Sequence, residues 1–202
     1  MPALDMSFPR LFRTYEVPAN PSYDCTIWEA ARATSAAPTF FKRIRIGHEN
    51  LEEEFIDGGM GCNNPVAQVL DEAESFGPTQ PVACIVSIGT GHPDAIGLPK
   101  PDAFQRMLPT NLITALRNIS TDCEKVAEQF EKRFKNAPKF YFRFNVAKGL
   151  EKVSLAEWMK QTEVVTHTKA YLQQQVVSAK IDDLVQALLK RPAAVNTEEL
   201  SA

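Results

Sequence analysis

Apolar and polar positions along the chain change period several times, and each change marks an element. Residues 8–16 carry apolar residues at strand-like spacing, which predicts a short strand. Thr26-Ile-Trp-Glu29 is a capping box: the threonine hydroxyl accepts from the amide three residues on, and the glutamate reaches back. A helix rich in small residues, through Ala30, Ala31 and Ala33, follows and must end before Pro38. Alanines on its inner face let such a helix approach a sheet closely. A charged lead-in then gives a short strand at Phe55-Ile56, the turn Asp57-Gly58-Gly59, and a helix from Pro65 to Phe76. Asn64 is the expected N-cap of that helix, and Gly77-Pro78 the stop.

The next run, Val82 to Ile88, is almost continuously apolar and of strand length, as expected for a strand buried on both faces. Thr110 opens a long helix with Leu112, Leu116, Ile119, Cys123, Val126, Phe130 and Phe134 along one face. Phe140, Phe142, Phe144 and Val146 alternate with Tyr141, Arg143 and Asn145. That is a strand with one strongly apolar face. Ser154-Leu-Ala-Glu157 is a second capping box, and helical pattern runs on, with a break, to about Lys190. Residues 191–202 read as a flexible tail, and 1–190 as one domain. Strands alternating with helices predict an α/β layered fold with a mostly parallel sheet.

Composition narrows the function classes. A formal net charge of -3, with 23% charged residues, gives no basic face for nucleic acid and no acidic disordered chain. Cys25, Cys62, Cys84 and Cys123 show no C-x-x-C spacing and are expected as free thiols of a reducing compartment. His48, His92 and His167 fit no ligand pattern, so no metal is expected. No secretory leader is read at the N-terminus, and the longest apolar run is too short to span a bilayer. The expectation is a cytoplasmic protein, soluble or peripheral to membranes.

The candidate chemistry lies in Phe55-Ile-Asp-Gly-Gly-Met-Gly-Cys-Asn-Asn-Pro-Val66. Asp57 closes a strand, where α/β folds place active sites, and is expected to face an open groove. Gly58 and Gly59 permit positive φ and close approach of another segment. Alone, Asp-Gly-Gly is as well explained by an ordinary turn. Ser87 ends a predicted strand, but no glycine precedes it to form a nucleophile elbow. Gly89-Thr-Gly91 lacks the spacing of either phosphate-binding fingerprint and reads as a tight turn.

Four segments in order change that weighting: Ala31-Arg-Ala-Thr-Ser-Ala-Ala-Pro-Thr-Phe-Phe41, Phe55-Ile-Asp-Gly-Gly59, Asn63-Asn-Pro65 and Val86-Ser-Ile-Gly-Thr-Gly91. Together they resemble the C-terminal portion of the patatin-like phospholipase domain, over about residues 8–150 and more loosely to 190. The resemblance implies a three-layer α/β fold and a serine–aspartate dyad that hydrolyses acyl esters without a cofactor. Asp57 would be the proton acceptor, and Gly58, Gly59, Asn63, Asn64 and Pro65 would support its turn. The implied partners are a phospholipid or acylglycerol substrate and transient contact with a membrane surface, with no nucleic acid and no metal. The chain departs from the family pattern in one respect: its 202 residues contain no Gly-x-Ser-x-Gly, and no glycine precedes Gly47. The expectation is a domain lacking its nucleophile and oxyanion loop, inactive alone, with an unpaired sheet edge and uncovered apolar surface. The alternative is a catalytically dead lipid-binding or interaction protein.

Overall fold

The computed structural model describes residues 1–4, 8–15, 24–38, 40–76, 82–91, 123–151, 153 and 157–190. Two compact units divide the chain. The described part of the first runs to Asn63 and includes Cys123; that of the second begins at Asn64 and resumes at Glu124.

In the first unit, helix α1 (Ile27–Thr34) starts at the predicted capping box, with both reciprocal bonds present. Strands β1 (Ile44–Ile46) and β2 (Glu53–Phe55) pair antiparallel, Ile44 opposite Phe55. Their connection turns on Gly47 at φ +138, where a side chain would meet the Leu51 carbonyl at 2.7 Å. Ala33 of α1 packs on Ile46 and Phe55, with Phe12, Cys25 and Ile44 around them. Ala33 is fully buried, so its missing bulk is what brings helix and hairpin together. Burying the Phe55 ring contributes about 1.5–3 kcal/mol.

The strand expected over 8–16 is not there: residues 8–15 have no strand structure, and Phe12 instead packs its ring on Phe55 at 5.3 Å. The outer edge of β2 is taken by residues 1–3. Pro2 bridges to Phe55, Ala3 N donates to Glu54 O at 2.7 Å, and Ile56 N donates to Met1 O at 2.9 Å. With that edge taken, the 8–15 segment contributes side chains to the core and no strand.

In the second unit, α3 (Val66–Ser75) follows the short helix α2 (Gly59–Cys62) of the first. The cap position of α3 is Pro65, one residue later than expected, and no side chain caps it. Strands β3 (Ile85–Ile88) and β4 (Tyr141–Phe144) pair in parallel, Ile85 opposite Tyr141 through Ile88 opposite Phe144. Helical residues 123–133, here α4, are the described part of the predicted long helix; its first half lies outside the described residues. Val66, Leu70, Ile85, Phe130, Phe134, Phe140 and Tyr141 form one core. A 3-10 turn (Trp158–Lys160), α5 (Gln161–Leu172) and α6 (Gln175–Lys190) complete the unit, with the expected break at residues 173–174. Gly77-Pro78, the Ser154 capping box and the 191–202 tail lie outside the described residues.

Helices packed with strands, including a parallel pair, make the chain α/β. Two burial expectations are corrected. β3 is buried on one face only, Ile85 and Ser87 inward and Val86 and Ile88 outward, because nothing among the described residues covers its second face. β4 is the reverse. Phe140, Phe142 and Val146 of its apolar row are buried as expected and Phe144 is half-buried, but Tyr141 and Arg143 of its polar row are buried as well.

Candidate active site

Asp57 sits two residues beyond β2, in a turn knitted to the end of α1. A helix leaves its last carbonyls without intrahelical partners. Here Gly58 N donates to Thr34 O at 3.2 Å and Asp57 N donates to Ala36 O at 3.1 Å. Two of the sequence segments that define the resemblance are therefore bonded main chain to main chain. The Asp57 side chain is half-buried, and its Oδ1 accepts from Gly59 N at 2.6 Å. That short bond fixes the carboxylate against the first turn of α2. The Met1 amino group donates to Ile56 O at 3.0 Å. Burial draws its pKa down, while Cys62, Asp57 and Glu53 oppose that shift.

The glycines act by close approach and not by positive φ, which corrects half of the expectation. Gly58 has φ -60 and ψ -30, and among the described residues the glycines with positive φ are Gly47, Gly91 and Gly149. A side chain on Gly58 would meet Thr34 Oγ1 at 3.3 Å. One on Gly59 would meet Asp57 Oδ1 at 3.0 Å and Asn63 Oδ1 at 3.4 Å. Asp57, Gly58, Gly59 and Asn63 thus share one tight turn.

Asn64 and Pro65 belong to the second unit. Asn64 is not a helix cap. It is buried, and its Oδ1 accepts from Ser87 Oγ at 3.2 Å. Ser87 Oγ in turn accepts from Arg143 Nη1 at 3.0 Å. Arg143 pairs with Glu124 through Nη2 at 3.0 Å, and Asn145 Nδ2 donates to the same Glu124 oxygen at 3.0 Å. Asn145 Oδ1 accepts from Gly91 N at 2.7 Å, which ties the Gly89-Thr-Gly91 turn to β4. A hydroxyl held on both sides in this way reads as a structural group, in line with the missing elbow glycine.

Sequence reasoning missed this network. Its signals were a serine inside an apolar run and an arginine at the centre of an alternating strand. Buried polar groups demand partners, so each implied the other. Among the described residues no three His, Cys, Asp or Glu side chains cluster to hold a metal ion. No helix among them is long and apolar enough to cross a membrane.

Comparison with known proteins points to the same family as the four sequence segments. Residues 5–70 match the patatin-like phospholipase family. Human calcium-independent phospholipase A2-gamma is 35% identical over 122 residues, 59% of this chain but 14% of its own length. Patatin-like protein 2 of Arabidopsis thaliana is 35% identical over 101 residues, 42% of this chain and 25% of its own. Phospholipase A I of the same plant is 28% identical over 140 residues, 66% of this chain and 10% of its own. No solved structure matches. These sequence matches support the patatin-like phospholipase family for the chain, whose family model covers residues 5–70. The chain spans a small fraction of the length of the curated relatives it matches.

Proposed function

We propose that this chain contributes the aspartate of a serine–aspartate dyad in a lipid acyl hydrolase, with Asp57 as the general base. The observation that carries the reading is the Asp57 turn. One carboxylate oxygen is fixed by the Gly59 amide, inside a turn bonded to the Ala31–Phe41 segment. A carboxylate held by one oxygen can take a proton on the other. The serine and the oxyanion loop come from polypeptide outside these 202 residues. The serine hydroxyl attacks the acyl carbonyl of a phospholipid or acylglycerol. Asp57 takes its proton and returns it to the leaving alcohol, and water then releases the fatty acid from the acyl-serine. The step uses no cofactor. The working place is cytoplasmic, at a membrane surface.

The test supplies the missing half. The N-terminal half of a patatin-like relative, carrying its Gly-x-Ser-x-Gly, is co-expressed with this chain, and ester hydrolysis is measured with Asp57 and with Asp57→Asn. Activity that depends on Asp57 supports the reading, and equal hydrolysis by the two refutes it. A second reading, a non-catalytic lipid-binding or interaction protein, is favoured by one observation: no Gly-x-Ser-x-Gly occurs in the sequence.

A further inference from the structure

The polar network behind Asn64 has a charged centre. Arg143 stands in an otherwise apolar stretch of β4, opposite Ser87 in the ladder, and its carbonyl accepts from Lys180 Nζ at 2.9 Å. With the main chain fixed in this way, the guanidinium fork reaches two partners. Nη1 donates to Ser87 Oγ and Nη2 to Glu124 Oε1, each at 3.0 Å. The Arg143 side chain is 7% exposed. A buried ion pair adds little stability over apolar residues of the same volume, so its place in this strand is better explained by what it holds. It holds Ser87 and, through the Ser87 hydroxyl, Asn64 Oδ1.

Asn64 gives up another role to make that bond. An asparagine just ahead of α3 is suited to capping it. Yet the cap position falls to Pro65, and no side chain caps the helix. Asn64, Ser87, Glu124 and Arg143 all belong to the second unit. The peptide bond to Asn63 joins Asn64 to the Asp57 turn. Between Asp57 and Asn63 lies the single turn of α2, whose first amide, Gly59 N, donates to Asp57 Oδ1 at 2.6 Å. Asn63 Oδ1 closes on the same residue, 3.4 Å from the place of a Gly59 side chain. Buried polar networks rigidify what they join. A tether at Asn64 therefore limits how far α2, and with it the Gly59 amide, can move.

We propose that Arg143 is a positioning residue for Asp57, acting through Ser87 and Asn64 on the α2 turn that holds the carboxylate. Glu124 keeps the guanidinium aimed at Ser87. The inference rests on the reading of Asp57 as the general base.

The experiment uses the full chain co-expressed with the serine-bearing half, and compares Arg143→Lys, Gly59→Ala, the double variant and Asp57→Asn. Lysine keeps the charge beside Glu124 but lacks the fork that serves two partners. Arg143→Lys should lower kcat at least about tenfold and leave KM unchanged, since a displaced base costs rate and not binding. In the Gly59→Ala background the same substitution should lower kcat little further, because the contact through which Arg143 acts is already broken. Losses that multiply in the double variant overturn the proposal, as does an unchanged kcat or a raised KM alone. Equal hydrolysis by Asp57→Asn refutes the general base itself, so the two failures are told apart. Hydrogen exchange on the full chain alone gives an answer that needs no activity. Asn64→Ala cuts the line at its other end and leaves the Arg143–Glu124 pair intact, so it serves even where Arg143→Lys does not fold. In each folded variant the Gly59 amide should exchange at least about tenfold faster than in wild type while the amides of α1 keep their rates. An unchanged Gly59 rate in a folded variant overturns the proposal.

Discussion

At the Asp57 turn, single atoms decide what each glycine does. Gly58 has helical φ and only Thr34 Oγ1 near its missing side chain, so Gly58→Ala should fold with a stability change under about 1 kcal/mol. Gly59→Ala places a methyl group against Asp57 Oδ1 and must displace the carboxylate. In the reconstituted enzyme it should lower kcat far more than it lowers Tm, whereas Gly58→Ala should move neither much. Equal kcat for the two variants would show that the Gly59 contact does not position the base. Asp57→Asn keeps the shape of the turn but cannot take a proton, and loss of a positioned base costs about 10²–10⁴-fold. Burial pushes the thiols of Cys25, Cys62 and Cys84 above the usual cysteine range. The thiolate is the reactive form. Iodoacetamide at neutral pH should therefore label these three more slowly in the native chain than in urea. Native rates as fast as those in urea would contradict the burial.

At the scale of the element, local chemistry wrote some signals into the sequence and tertiary structure supplied the rest. The capping box at Thr26 was legible because both halves of it lie within four residues. Thr26→Ala should cost about 0.5–2 kcal/mol, read as a lower Tm. The Thr26 hydroxyl and main chain hold the Glu29 carboxyl below the usual range. Its depressed pKa puts that contribution fully in place above the ordinary glutamate value. It is lost as pH falls through the lower, folded-state value. The Tm gap between wild type and Thr26→Ala should therefore narrow on strong acidification, and a constant gap would show that Glu29 plays no part. Helix α3 was legible in its apolar spacing, but its cap was not. Asn64 before Pro65 has the look of a cap, yet its side chain is taken by Ser87, a residue of another element. The apolar run at 82–88 and the spacing at 8–16 misled for one reason. Hydrophobicity says that a segment is to be covered, and not by what. At β3 the second face has no described cover, and at 8–15 the apolar residues serve the core without joining a sheet.

Across the whole molecule, order and identity of motifs carried the most information, since four segments in sequence pointed to the same family as the comparisons before any packing was known. They did so without a catalytic serine, and this sets the last prediction. No serine of the sequence stands in a Gly-x-Ser-x-Gly elbow, and activation needs a hydroxyl within reach of a base and an elbow to expose it. Ser87, at the tempting place on a strand end, is buried and bonded to Arg143 and Asn64. The isolated chain should therefore take up no stoichiometric label from a serine-reactive fluorophosphonate and should not hydrolyse a short-chain ester. Ser87→Ala should leave that null result unchanged and instead cost about 1–3 kcal/mol of stability. It removes one donor to the buried carbonyl of Asn64 and the acceptor of one guanidinium bond of Arg143. Once the serine-bearing half is supplied, label should appear on that half, survive Ser87→Ala, and weaken with Asp57→Asn. Stoichiometric labelling of the isolated chain that Ser87→Ala abolishes would instead make Ser87 the nucleophile, and the dyad assigned to Asp57 would fall.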